Sequence, residues 1–201
     1  HHRVKNNLTV ISSLLNLQAG SSTDPAVQAV LDEAQGRVKT MSLIHQLLYE
    51  RKDFSRLDLG EYLQRLVHLL HGSYGNVRKR ADIRIDTPTD GAVYLQLDRV
   101  IPCGLFVNEV VTNAFKHAFP DGRNGTVQIT LERLPADMVV VTVADDGVGL
   151  PDNFELNQAE TLGLQLVSLL ADQIHGVLKV YNHPGARFEL YFSLNEGEAA
   201  T

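Results

Sequence analysis

The chain has 201 residues, 44% of them hydrophobic, which is enough for one good core, or one core with a small helical appendage. Its formal charge of −6, with Lys and Arg scattered along the chain, argues against a nucleic-acid-binding face, and its single cysteine, Cys103, cannot form an internal disulfide, so a reducing cytoplasmic setting is expected. The longest aliphatic run, "MVVVTVA", falls far short of the ~20 residues that a spanning helix needs, and no membrane contact is expected of this fragment.

From the first residues, Val4, Leu8, Ile11 and Leu15 recur at steps of four and three, which makes one apolar stripe on a helix. The segment is broken by "GSSTDP". Asp24 can cap a second helix with Pro25 in its first turn, and Val27, Leu31, Ala34, Val38, Met41 and Leu48 continue the stripe. Residues 1–50 therefore read as a helical hairpin. Two such helices bury little alone, so pairing with a second copy into a four-helix bundle is expected.

A polar linker over 51–57 leads into an amphipathic helix at "LGEYLQRLVHLLHG". Period-two alternation predicts strands at Ile83 and Ile85, at Val93, Leu95 and Leu97, at Val127, Ile129 and Leu131, and at Phe188, Leu190 and Phe192. "MVVVTVA" suits a central strand buried on both sides. Between these lie a long helix from about Asp98 to Phe119 and another from about Gly163 to Ile174, stopped by Gly176. The fold class is α/β: an N-terminal helical hairpin, then a two-layer α/β sandwich over 58–195, with 196–201 as a tail.

Three stretches carry candidate chemistry. In "NEVVTNAFKHAF", Glu109, Asn113, Lys116 and His117 fall at i, i+4, i+7 and i+8 and share one helical face. A carboxylate, an amide oxygen and a cation on one ridge suit a magnesium-bound polyphosphate, although a solvated polar face has the same pattern. "VADDGVGLP" follows the strongest strand; its glycines permit close backbone approach to a ligand, and Asp145 at a buried strand end can accept from an exocyclic amine, although a plain turn is also possible. "ETLGLQLV" puts a glycine at a helix start, where free N–H groups favour anions, a weak signal by itself.

The order and spacing of these three stretches resemble the N, G1 and G2 boxes of the histidine-kinase ATP-binding domain in the GHKL superfamily, whose Bergerat-type fold the sandwich would then adopt. The resemblance covers about residues 58–194. It implies ATP and Mg2+ as cofactors, with Asn113 binding the metal, Glu109 assisting catalysis and Asp145 contacting adenine. It further implies nucleotide contacts from Asn108, Asn113, Lys116 and His117, from Gly147 and Gly149, and from Thr161, Leu162, Gly163 and Leu164. Residues 150–160 would form a lid over the triphosphate.

The opening "HRVKNN" resembles the phosphoacceptor motif of the HisKA_2 histidine kinases, relatives of the HWE kinases, and aligns the acceptor with His2. Helical geometry agrees: at ~100° per residue His2 points away from Val4 and the core stripe, while His1 leans towards it. A neutral imidazole is available near pH 7 and can attack a γ-phosphate. Two leading histidines are also what a purification tag leaves, but "RVKNNL" running into a hairpin and three ordered motifs argues against that. His45 lies on the second helix's apolar stripe as a packing residue, and the remaining histidines show no metal-site spacing.

The expected function is a sensor histidine kinase core. It would phosphorylate His2 from Mg-ATP and pass the group to a receiver-domain aspartate of a response regulator, as a homodimer whose sensory domain lies upstream of this chain. A GHKL protein-serine kinase or a simple ATPase is the alternative, but neither needs a histidine-bearing hairpin. A nonenzymatic nucleotide-binding scaffold is a third reading.

Overall fold

The computed structural model describes residues 2–50, 56–74, 81–89, 91–151, 154, 162–182 and 184–195. Helices α1 (His2–Ser21) and α2 (Pro25–Glu50) pack as a hairpin. The turn is built as the composition requires: Asp24 Oδ1 accepts the Ala26 N–H at 2.8 Å, and Pro25, which has no N–H to waste, opens α2.

Only 56 and 57 of the expected linker are described, and the second of these is already strand: β1 (Leu57–Asp58) pairs antiparallel with β3 (Tyr94–Leu95). Helix α3 (Leu59–Tyr74) follows, and its apolar stripe of Leu59, Tyr62, Leu63, Leu66 and Leu70 is buried. The strand expected through Leu97 stops at Leu95. Gln96 has extended backbone and N-caps α4 (Leu97–Asn113), so Leu97 belongs to the helix.

The main sheet contains β2 (Ala81–Asp86), β4 (Gly125–Leu134), β5 (Met138–Asp145), β6 (Val177–Asn182) and β7 (Ala186–Ser193), in the order β2-β4-β5-β7-β6. β2 runs parallel to β4 and the other pairs are antiparallel. β5 is central, and Val139 through Val143, Thr142 included, are buried on both faces, as its near-continuous aliphatic run demands. Alternate residues of β4, β5 and β7, namely Val127, Ile129 and Leu131, Val139, Val141 and Val143, and Phe188, Leu190 and Phe192, join one core with α3, α4 and α5 (Leu162–Gln173). The strand β6, which the alternation pattern does not mark, closes the edge.

Two helix ends differ from expectation. α4 does not run evenly to Phe119: its last turn widens into a π turn over Ala114–Ala118. After α5 the left-handed residue is His175 (φ 54°), with Gly176 behind it donating its N–H to Ala171 O at 2.9 Å.

Candidate active site

The three chemistry-bearing stretches converge where the C-terminal ends of α4 and β5 meet the start of α5. Between them lies a cavity of about 400 Å³. Its walls are mostly apolar (Val110, Ala114, Leu150, Phe154, Leu164 and Phe188), and its polar contributions come from Asn113, His117 and Asp145. Such a cavity, with few and localised polar groups, is the usual form of a small-molecule site.

Asp145 is fixed at the end of β5. Its Oδ1 accepts the N–H groups of Gly147 at 2.9 Å and Ala186 at 3.3 Å, so among the described residues Oδ2 has no protein donor. Partial burial pushes the carboxyl pKa up, and the two backbone hydrogen bonds oppose that shift. Gly185 is required nearby, since a Cβ there would stand 2.1 Å from Asp145 O. Gly149 has φ +78°, and its loop is tied down by Asn182, which accepts from Leu150 N–H and donates to Leu150 O, both at 2.7 Å.

The ridge expected on α4 is divided in two. Asn113 and His117 line the cavity, whereas Glu109, Lys116 and Asn108 face α2. The spacing contains the seed of the split, because at ~100° per residue Glu109 and Lys116 fall closer to each other than to Asn113 and His117. Arg37 on α2 grips Glu109 bidentately, Nε to Oε1 and Nη2 to Oε2 both at 2.8 Å, and the Glu109 carboxylate raises the Arg37 pKa. The pair is largely removed from water, with side chains 18% and 5% exposed. Lys116 pairs with Glu33, which also lies 3.6 Å from Arg37. Thr40, fully buried, has its hydroxyl 3.3 Å from Asn108 Oδ1, and Asn108 donates in turn to Glu109 Oε1 at 3.2 Å.

Gly163 stands beside both halves of the ridge: a Cβ on it would come 3.3 Å from Glu109 Oε2 and 3.6 Å from the Asn113 amide. The bare backbone therefore lets the α5 start pack closely against the α4 ridge. Leu164 reaches the cavity, and Leu162 is exposed outside it. Gly147 packs on Ala118, and a Cβ there would meet Ala118 O at 2.4 Å. His1, Thr161 and most of the expected lid (152–153 and 155–160) lie outside the described residues, as does the side chain of His2, whose backbone begins α1.

This donor set fits a purine nucleotide. The apolar walls suit the two faces of a planar base, and Asp145 Oδ2 suits an exocyclic amine. Among the described residues no group of three His, Cys, Asp or Glu could hold a metal alone. A magnesium ion taking Asn113 Oδ1 together with phosphate oxygens and water needs none.

Arg37, Glu33, Thr40, Gly185 and Asn182 are the site neighbours that sequence reasoning misses. The i, i+4 spacing of Glu33 and Arg37 signals a helix-surface pair, but nothing local announces partners more than 70 residues away.

Comparison with known proteins shows the family. The HisKA_2 family model, described as "Histidine kinase", matches residues 1–74, and the HATPase_c model, described as "Histidine kinase-, DNA gyrase B-, and HSP90-like ATPase", matches 100–196. The chain is 36% identical over 180 residues to the sensor histidine kinase PdtaS of Mycobacterium tuberculosis, covering 89% of this chain and 35% of that protein. It is 31% identical to the blue-light-activated histidine kinase 2 of Erythrobacter litoralis, covering 89% of this chain and 51% of that one. The chain thus spans about a third to a half of the length of these relatives. A solved structure of an Erythrobacter litoralis blue-light activated histidine kinase superposes with TM-score 0.69 at 26% identity, covering 98% of this chain and 62% of that chain. Its isolated histidine kinase domain gives 0.74 at 22%, covering 96% of each. With a HisKA_2 hairpin at one end and a GHKL-type ATPase sandwich at the other, this chain belongs to the histidine kinase family.

Proposed function

We propose that the chain is the kinase core of a two-component sensor. It binds Mg-ATP in the α4–β5–α5 cavity, phosphorylates its own His2, and hands the group to an aspartate on a response-regulator receiver domain. The observation that carries this reading is the convergence of Asn113, His117 and Asp145 on one mostly apolar cavity that Leu164, at the start of α5, also lines.

Bound Mg-ATP supplies the γ-phosphoryl group. Asp145 holds the base through Oδ2, Asn113 offers its amide oxygen to the metal, and His117 stands at the cavity edge where it can meet a phosphate. The unprotonated ring nitrogen of the His2 imidazole attacks the γ-phosphorus, and Glu109 orients or accepts the proton carried by the other ring nitrogen as the P–N bond forms, the bond to the β-phosphate oxygen breaks and ADP leaves. Most of the rate comes from positioning and charge neutralisation rather than covalent help.

In this division of labour residues 1–50 serve dimerisation and phosphotransfer, 51–57 link, and 58–195 bind nucleotide. The dimer forms through the hairpin, where Val10, Leu14, Leu17 and Val30 are exposed. A cytoplasmic location follows from the proposed partner and substrate, and no described helix is long and apolar enough to cross a membrane.

Incubation with γ-labelled ATP tests the function. Protein-bound label that is lost in acid and stable in alkali is the expected result; acid-stable label would point to the serine-kinase alternative, and release of free phosphate without protein label to a simple ATPase.

A further inference from the structure

The loop that joins the end of α4 to β4 delivers one exposed cation to the edge of the cavity. It makes a tight turn over Pro120–Gly122, in which Asp121 has φ 53° and ψ 22° and Gly122 has φ 75°, so two residues in succession are left-handed. For Asp121 this backbone is costly, and such residues persist where the surrounding structure holds them. The next residue is Arg123. Its N–H closes the turn on Pro120 O at 3.0 Å, and its guanidinium crosses to the end of β5, where Nη2 donates to Asp146 O at 2.8 Å.

Asp146 directly follows the residue read as the base contact, and it is fastened on both sides. Its N–H donates to Thr126 O at 3.2 Å, and its Oδ1 accepts the Thr126 N–H at 2.7 Å. These bonds carry the β4–β5 pairing one step beyond Val127 and Asp145, and Arg123 ties the carbonyl of the same residue. Asp146 Oδ1 is thus taken up by β4, while Asp145 Oδ2 stays open to a ligand.

The surrounding charges point the same way. Asp146 stands on Asp145's own loop, His117 of α4 lines the same cavity, and Arg187 on β7 is paired with Glu189 at 2.6 Å. The α5 contribution to the cavity wall is Leu164, and β4 meets the loop with Thr126. Arg123 has no carboxylate partner among the described residues. Burial pushes the Asp145 carboxyl pKa up and Asp146 adds to that push, while the backbone hydrogen bonds and the Arg123 charge oppose it.

We propose that Arg123 is a positioning residue for nucleotide recognition: its guanidinium ties down the Asp145–Asp146 pair and places a positive charge beside the carboxylate that takes the exocyclic amine of the base. The proposal rests on the reading of Asp145 as the base contact. Arg123 itself does not touch the nucleotide.

Calorimetric titration of the whole chain with Mg-ATP, at about pH 5 and about pH 8, tests this on either side of the interval in which the raised carboxyl ionises. The parent is compared with Arg123→Gln, Arg123→Lys, Asp145→Asn, and Arg123→Gln combined with Asp145→Asn. Arg123→Gln should weaken binding about two- to fivefold at the lower pH and less at the higher, and Arg123→Lys, which keeps the charge, should restore most of the loss. In the nucleotide-free protein the Asp145 carboxyl, followed by carbon-13 NMR, should titrate at higher pH in Arg123→Gln than in the parent, a signature that a merely structural role would not produce. Once Asp145 is replaced by Asn, Arg123→Gln should cost nothing further. Unchanged ATP affinity in Arg123→Gln at both pH values would overturn the proposal. So would a loss of equal size at both pH values that persists beside Asp145→Asn, which would make Arg123 a direct contact of the nucleotide. If Asp145→Asn alone leaves ATP affinity unchanged, the base-contact reading fails and the role of Arg123 falls with it. That outcome shows in a variant that leaves Arg123 intact, so the two failures are distinguishable.

Discussion

The hairpin and the sandwich solve the same problem, covering apolar surface, in opposite ways. The sandwich supplies the core itself, from Leu57 to Phe192, while among the described hairpin residues only Thr40 is fully buried. Leu14 and Leu17 are 55% and 71% exposed. Where the hairpin meets the sandwich, much of what holds it is polar: two ion pairs and a buried hydroxyl. A region with its own core has its shape settled internally. A region without one takes its shape from whatever it leans on, which suits the proposed role of an element that sits in turn against an ATP domain, a second copy and a receiver.

The sharpest break between the two regions is chemical. His2→Gln should remove all acid-labile label while leaving ATP affinity unchanged, and His1→Gln should leave most of the label, because successive helix residues point ~100° apart. Single-turnover labelling alongside calorimetric titration checks both halves. Label persisting in the His2 variant would move the acceptor elsewhere.

The reciprocal variant, Asp145→Asn, should lower ATP affinity at least about tenfold, since a hydrogen bond to a charged group contributes ~1.5–3 kcal/mol. The fold and the hairpin's self-association should be untouched. Unaltered affinity in a folded protein, measured by calorimetry, would take Asp145 out of the base contact.

Stability should divide along the same line. Phe106→Ala, at a fully buried site in the sandwich core, should cost about 3–5 kcal/mol in urea unfolding. Leu14→Ala should cost the monomer less than ~0.5 kcal/mol but weaken dimerisation, read by sedimentation across a concentration series. A Leu14 variant as damaging to the dilute monomer as the Phe106 variant would mean that the hairpin has a core of its own.

The smallest effect concerns pH. In the folded chain the Asp145 pKa lies above its unfolded value because burial penalises the charge. The folded state therefore binds this proton more tightly, and the group's contribution to stability falls as pH rises from the ordinary aspartate range, ~4, through the raised value. ATP binding needs the carboxylate ionised, so affinity should rise over the interval in which this part of the stability declines. Opposed slopes in calorimetry and in urea midpoints, both flattened by Asp145→Asn, are the expected signature, with changes of a fewfold.

Much of this was legible without coordinates. The central strand and the packed stripe of α3 follow from hydrophobic periodicity, and Asp24–Pro25 announces the α2 start. Asp145 at a strand end beside glycines is visible as a candidate from its setting alone. What was not legible depends on neighbours distant in sequence. Leu97 alternates like a strand residue but opens α4, where it packs partly buried against the core. β6 has a weak pattern because it is an edge strand with only partly buried residues. The divided ridge of α4 required knowing the face of α2 that meets it, which leaves no mark in "NEVVTNAFKHAF".

The two hydrogen bonds between Asn182 and Leu150 make a side-chain amide behave as one further rung of backbone pairing, grafted from the sheet's edge onto the cavity mouth. Leu150 is thereby ordered in the free protein, before any ligand arrives. Immobilising a loop residue costs about 1–2 kcal/mol in conformational entropy. A ligand entering beside Leu150 is spared that cost there, so part of its affinity is already stored in an outer strand that never touches it.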